Sequence, residues 1–310
     1  MQFKLTEPSV CKIRSHTLSA AVSEPLTVAL TGDWHISPLV SARQTTFLRT
    51  NLQKIRPDLI ILQGDLLDTP DYLDDPALRA RLIEQIKLCT SFAPTVGVLG
   101  NHDIIRPAKS KRFRHFSEFE KYVYSGAEQK WREIYAAAGA TLLLNSWFEF
   151  KSLRLFGFYQ DPACWYQDGR WQENYAKFSE VLSALKTAQK LTFRKGKLHW
   201  FVAHAPLLSA ANHPALKQFA IFSFGHTHGA CVPRGLDNLY DRLGYTGGLY
   251  SPSGSLLPPR QMRGLSTLEG SQIIVNTGMV LTQQCAPKLT HYANAFKAAE
   301  ITQIKLVPEP

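Results

Sequence analysis

Val98-Leu99-Gly100-Asn101-His102-Asp103 is an apolar run that stops at a glycine and then presents an amide, an imidazole and a carboxylate in succession. Where a buried strand ends at such a stretch, the three polar side chains emerge on one rim. Asn101 offers a neutral carbonyl oxygen to a cation, and His102 can carry a proton near neutral pH. Asp103 is placed to hold that ring in one tautomer. A single Asn-His-Asp turn is compatible with a purely structural role. Four other stretches of the chain end in the same manner.

Upstream, Leu26 to Leu30 is a β-rich run that breaks at Thr31-Gly32 and delivers Asp33 and His35 to its carboxyl end. Residues 41–55 are a predicted helix, with Leu48, Leu52 and Ile55 at helical spacing and Lys54 and Arg56 near its end. A second buried strand, Leu59 to Leu62, stops at Gly64-Asp65. Residues 75–91 form the next predicted helix, its face made by Leu78, Leu82, Ile86 and Cys89, and residues 94–99 are the strand that enters the opening stretch. Strands and helices in this alternation predict βαβ units and a parallel sheet, and open α/β sheets collect their sites at the carboxyl ends of strands.

Downstream, residues 104–130 read as a basic insertion carrying Phe113, Phe116, Phe119, Tyr122 and Tyr124, with Arg106, Lys109, Lys111, Arg112, Arg114 and Lys121 close behind the opening stretch. Residues 131–138 resume as a helix with Gly139 as its C-cap. Residues 141–144, 147–150 and 153–158 are predicted strands of a meander, and 165–190 is predicted mostly helical after Gly169. Strands at 198–203 and 219–224 end in His204 and in Gly225-His226-Thr227-His228. Residues 230–270 are a Gly/Pro-rich loop region, followed by strands at 272–276 and 298–307, while a short strand is expected within 1–24. With no internal repeat, residues 1–310 are expected to form one domain.

Composition narrows the class. An apolar share of 45% and a charged share of 19% describe a globular chain, and no apolar run approaches the ~20 residues of a membrane-spanning helix. The five cysteines form no CxxC and no paired framework, which points to a reducing compartment and a cytoplasmic address. The formal net charge of +10 is compatible with simple solubility or with an anionic partner: a phosphorylated substrate, nucleic acid or an acidic membrane face.

Asp33, His35, Asp65, Asn101, His204, His226 and His228 together exceed what one ion can use, so two divalent ions fit. A carboxylate between them would let the cations sit about 3.5–4 Å apart. Mixed imidazole, carboxylate and amide ligation suits Mn, Fe, Zn or Co and argues against a thiolate-rich zinc site or an all-oxygen calcium site. His16, His115, His199, His213 and His291 are read as ordinary hydrogen-bonded residues, and Asp68 as support for the Asp65 loop.

Gly32-Asp33-Trp34-His35, Gly64-Asp65-Leu66-Leu67-Asp68, Gly100-Asn101-His102-Asp103, His204 and Gly225-His226-Thr227-His228 resemble, in order, the five motifs of the calcineurin-like metallophosphoesterases. The resemblance spans roughly residues 26 to 229. It implies an α/β/β/α four-layer sandwich with a two-metal site at the strand ends. It further implies that Asp33, His35 and His228 hold one ion, that Asn101, His204 and His226 hold the other, and that Asp65 bridges. His102 would stand over the substrate phosphate, oriented by Asp103, while a hydroxide generated between the ions attacks in line. Mn is the first expectation, with Fe, Zn, Co or Ni as alternatives. Gly248-Leu249-Tyr250 and Val275-Asn276-Thr277-Gly278 look like the bacterial branch with UDP-2,3-diacylglucosamine pyrophosphatase-like enzymes, although Gly229-Ala230-Cys231 stands where those relatives commonly have Gly-Gly-Gln.

The reading is therefore a hydrolase of small phosphomonoesters, phosphodiesters or pyrophosphate-linked substrates. The alternatives are a nuclease, which would use the same chemistry, and a non-catalytic scaffold of the same fold. Arg106 is a candidate substrate contact. The insertion is read as a solvated surface loop with aromatic contacts to the body, as a clamp on an anionic substrate, or as a contact with an anionic membrane surface. In the last two, Arg and Lys meet phosphates while Phe113, Phe116 and Phe119 lie against a base or lipid chains.

Overall fold

A computed structural model describes residues 10–40, 42–107, 113–171, 174–206, 214–228, 263–268, 270–279 and 298–309. Two six-stranded mixed sheets face each other. The first has the order β1 (Cys11–Ala20), β14 (Ala299–Pro308), β2 (Leu26–Thr31), β3 (Leu59–Leu62), β4 (Thr95–Gly97), β5 (Thr141–Leu142). The second runs β12 (Gly264–Leu268), β13 (Ser271–Val275), β11 (Ile221–Phe224), β10 (Leu198–Val202), β7 (Leu153–Gly157), β6 (Ser146–Phe150). In the first sheet β2 to β5 are parallel neighbours, and β14 pairs antiparallel with β2. In the second, β7, β10, β11 and β13 are parallel.

The period-2 alternation of strands explains the layering. Leu59 and Ile61 of β3 join Val28, Leu30, Val96, Leu155, Trp200, Val202 and Ile274 in the core between the sheets. Ile60 and Leu62 point the other way, into the core beneath the helices. With both faces covered, every residue of β3 is buried, which is why the run is continuously apolar rather than alternating. The outer layers come from α1 (Arg43–Ile55), α2 (Pro76–Thr90) and α4 (Ala127–Ala137) around the first sheet, while α5 (Tyr175–Thr187) sets Phe178 against Phe158 beside the second. The expected apolar faces of α1 and α2 are buried as read. α2 starts sharply because Asp75 accepts the amides of Ala77 and Leu78 ahead of Pro76. Gly139 has φ 70°, as a residue just past a helix end requires.

The expected meander is not formed. β5 closes the first sheet against β4, the chain then crosses over, and only β6 and β7 pair as a hairpin in the second sheet. The helix predicted after Gly169 starts later than expected: β9 (Arg170–Trp171) first pairs with β8 (Tyr166–Gln167) in a short hairpin, and α5 begins at Tyr175. The expected N-terminal strand is ten residues long and parallel to β14. Of the Gly/Pro-rich region, residues 230–262 lie outside the described residues, and its end is β12, a hairpin arm on β13.

The insertion folds onto the body. Ile105 bridges Val123, and a short helix, α3 (Phe116–Glu120), follows. Phe113 and Phe119 are buried and meet at 5.4 Å, while Tyr166 packs on Phe116 and Phe119. Two of the three phenylalanines offered as base or lipid contacts are thus core residues. Lys109, Lys111 and Arg112 lie outside the described residues.

Candidate metal centre

The proposed ligands all stand just beyond the carboxyl ends of strands. Asp33 and His35 follow β2, Asp65 follows β3, and Asn101 to Asp103 follow β4, all in the first sheet; His204 follows β10, and His226 and His228 follow β11, in the second. Five of them, Asp33, His35, Asp65, His226 and His228, have φ between 44° and 67°. That left-handed backbone is uncommon for residues with a side chain and collects at functional sites.

Tight glycine packing brings the loops together. A Cβ on Gly64 would lie 2.5 Å from the Gly100 nitrogen, and one on Gly100 would overlap the Asp65 carboxylate. Gly225 and Gly278 crowd Asp33 in the same way. Asp65 and Asp33 therefore sit in cradles only glycine can line.

Asp65 Oδ2 is 3.1 Å from His204 Nε2 and 3.8 Å from His35 Nε2, so one carboxylate stands between imidazoles of the two sheets. On one side His35 Nε2 and His228 Nε2 are 3.4 Å apart, with Asp33 Oδ1 3.6 Å from His228. On the other, His226 Nδ1 is 3.1 Å from His204 Nε2. Asp33, His35 and His228 converge within 4.8 Å, as do Asp65, His204 and His226. Asn101 is buried in the adjoining loop, and its Oδ1 has no hydrogen-bond partner among the described residues. An orphaned carbonyl oxygen beside clustered imidazoles is the donor set a borderline divalent cation completes. The residues fit two ions.

Charge agrees with that fit. Burial opposes the His204 imidazolium, but the carboxylates of Asp65 and Asp33 outweigh it and raise the group to about 9. Burial likewise opposes the Asp65 carboxylate, and His204, His102 and His35 together hold it well below the usual carboxylate range. In the chain alone protons thus occupy positions that cations would take over.

Outer contacts fix the rings. His204 Nδ1 faces the Gln63 carbonyl at 2.7 Å, which turns Nε2 toward Asp65. Asp68 Oδ1 is 3.3 Å from His35 Nδ1, and the Asp68 carbonyl is 2.9 Å from His102 Nδ1. Asp68 therefore orients a proposed ligand with its side chain and the proposed acid with its main chain, a role the sequence reading missed. Its spacing, three residues beyond Asp65, was the available signal. Trp165 was also missed; its buried ring lies 5.3 Å from that of His226 and 6.2 Å from that of His204.

Asp103 does not orient His102 as expected. Its carboxylate accepts from the amides of Asp65 (2.8 Å), Gly100 (2.8 Å), Leu66 (3.0 Å) and Leu67 (3.2 Å). It locks the two loops to each other. Burial, reinforced by the Asp65 charge, pushes it up to about 7 against those amides. His102 is buried, and burial lowers its pKa below the ordinary value, so the expected imidazolium is not favoured in the chain alone. Arg106, the candidate substrate contact, is paired with Asp71 Oδ1 at 2.6 Å and lies over the Tyr124 ring.

Two facing mixed sheets with a buried imidazole–carboxylate cluster at their strand ends define a metal-dependent phosphoesterase. Residues 26–230 match the calcineurin-like phosphoesterase family, and the chain belongs to it. No curated protein matches the chain. Among solved structures it is similar to a phosphopantetheinyl hydrolase from Mycobacterium tuberculosis, with 10% identity and TM-score 0.44 over 92% of this chain and 96% of that one. It is also similar to a dimetal phosphatase from Danio rerio, with 12% identity and TM-score 0.43 over 83% of this chain and 90% of that one. These likenesses are too loose to assign a substrate.

Proposed function

We propose that the chain is a two-metal phosphoester hydrolase of small phosphomonoesters, phosphodiesters or pyrophosphate-linked substrates, working as one catalytic domain with Mn as the first-choice ion. The observation that carries this reading is the Asp65 carboxylate between His204 and His35, one imidazole from each sheet. The clusters support Asp33, His35 and His228 as one ligand set and His204 and His226 with Asp65 in the other, to which the buried, unpartnered Oδ1 of Asn101 is added, with Asp65 shared. When bound, two divalent ions supply Lewis-acid polarisation of a phosphoryl oxygen and a nucleophile drawn from water at neutral pH.

The chain's own part is positioning and proton delivery. His102 is held through Nδ1 by the Asp68 carbonyl, which leaves Nε2 for the leaving group. A bound phosphate raises the pKa of that ring, opposing the burial that lowers it, so the proton is acquired where it is used. Asp103 contributes rigidity rather than a proton. The bacterial branch with UDP-2,3-diacylglucosamine pyrophosphatase-like enzymes remains the first substrate class to assay, on the Gly-His-Thr-His and Asn276-Thr277-Gly278 resemblance, and the cytoplasm the expected address.

The test is hydrolysis of p-nitrophenyl phosphate, bis-p-nitrophenyl phosphate and a UDP-sugar pyrophosphate, with Mn and after chelation, for wild type and His102→Ala. Turnover is expected to vanish on chelation and to fall about tenfold or more in the variant, the low end of a general acid's contribution. Metal content should be unchanged in the variant, because His102 is outside the proposed ligand sets. Turnover indifferent to chelator would overturn the reading.

A further inference from the structure

Between Glu180 and Asp237 the sequence has no acidic residue, while it carries seven lysines and arginines. Lys186, Lys190, Arg194, Lys195, Lys197 and Lys217 lie among the described residues, and all but the half-buried Lys197 are exposed. They occupy the end of α5, the loop that follows it and the turn before β11.

This loop is built on a rigid floor. Trp147 stacks on Phe219 at 5.6 Å, and Phe193 packs edge-on against both Trp147 and Phe219. The Trp147 indole donates to the Lys190 carbonyl at 2.7 Å, the Arg194 amide donates to His199 Nε2 at 3.0 Å, and Lys197 Nζ donates to the Lys151 carbonyl. Among the described residues Glu149 is the one carboxylate paired with the group, and it is shared between Arg154 and Arg194. Lys186, Lys190, Lys195 and Lys217 have no ion pair among the described residues. Their ammonium groups are exposed, and the backbone of the loop that carries Lys190 and Lys195 is fixed by the bonds at Lys190 and Arg194.

The face is remote from the metal centre. Lys197 precedes the start of β10 and His204 follows its end, which at ~3.3 Å per residue separates them by about 20 Å. No phosphoryl group at the centre can also reach these lysines. Among the described residues the exposed large apolar side chains, Val10, Leu39 and Phe116, belong to none of its elements, so the described part of the face presents charge rather than an apolar anchor. Among the described residues of this face no exposed aromatic side chain offers a base a stacking surface, because the Phe193 ring is half-buried against its neighbours.

We propose that this face docks the phosphate backbone of duplex nucleic acid without reading its sequence. Attraction by charge alone favours the partner with the densest charge. A duplex carries one phosphate per ~1.7 Å of axis and releases condensed counterions on binding. Such docking would hold the enzyme on the polymer while the catalytic mouth, at the other end of the strands, stays open to its own substrate. It does not depend on the substrate assigned to that mouth.

The experiment is fluorescence anisotropy with a labelled duplex of about 20 base pairs over a series of salt concentrations. Three proteins are compared: wild type, a variant with Lys186, Lys190, Lys195 and Lys217 changed to Glu, and a variant with Lys12, Arg49, Lys54 and Lys87 changed to Glu, which has the same net charge. Melting temperature and small-ester turnover of both variants, expected near wild type, show that each is folded. Loss of four phosphate contacts should make the salt slope shallower by about 3 to 4 in the first variant, at about 0.9 per contact, and leave the second near wild type. Equal losses in both variants, or no binding by wild type at low salt, would overturn the proposal. So would wild-type binding to phosphatidylserine vesicles or polyglutamate but not to the duplex, which would give the face to a membrane or an acidic protein.

Discussion

Asp68 shows how much of this site rests on residues outside the proposed ligand set. Its carboxylate steadies His35 and its carbonyl steadies His102, so one position sets the tautomer of both rings. Asp68→Ala is expected to weaken metal binding about 10- to 100-fold, the usual loss when the partner of a ligating histidine is removed. Titration with a competing chelator would check it, and unchanged affinity would mean that His35 is held otherwise. The cysteines give a second prediction. Burial, with Glu300 nearby, pushes the Cys11 thiol up to about 12, and burial pushes Cys89 and Cys164 to about 12 as well. A raised thiol pKa means less thiolate at a given pH, so near pH 8 their reactivity should be roughly a thousandfold below that of an ordinary thiol. Peptide mapping after iodoacetamide treatment should find them unmodified in the folded protein and modified in urea.

At the scale of elements, the strands that end in polar residues were legible because each is a short, largely apolar run, stopped by glycine in every case but β10, and buried strands have that composition. The crossover between β5 and β6 was not. Periodicity says that a segment is a strand but not which sheet it joins, and β5 is two residues long. β1 was read only as a short strand because at the sheet edge its pattern alternates with Lys12, Arg14 and His16 rather than running apolar. The buried aromatics of the insertion were ambiguous for a related reason: a sequence of phenylalanines does not say whether they face the body or the solvent. Helix signals were firmer, and α2 offers a direct test. Asp75 caps two of its first amides, so Asp75→Ala should lower unfolding stability by about 1 kcal/mol and Asp75→Asn by much less. Urea denaturation of both variants would decide it.

The molecule as a whole is two sheets joined at one end by the candidate centre. The first sheet carries Asp33, His35, Asp65 and Asn101, and the second carries His204, His226 and His228. Each cluster that would hold an ion draws residues from both. Bound ions would therefore oppose separation of the sheets. At a free metal concentration about a hundredfold above its Kd, each site adds about 2.7 kcal/mol of stability. Chelation is expected to lower the melting temperature by something on the order of 10 °C. Calorimetry with and without chelator, at fixed protein concentration, measures it, and an unchanged midpoint would count against the proposed ligands.

The position of β14 has a consequence for how the protein is made. All seven proposed ligands precede residue 229, yet β14, at 299–308, lies between β1 and β2 and is the one strand paired with β1 among the described residues. The amide of Glu300, in β14, also holds the Gly278 carbonyl, and Gly278 packs beneath Asp33. A nascent chain thus displays every ligand before it has the strand that seats the first of them. Because β14 follows every proposed ligand along the chain, its addition completes the first sheet and the candidate metal pocket in the same step.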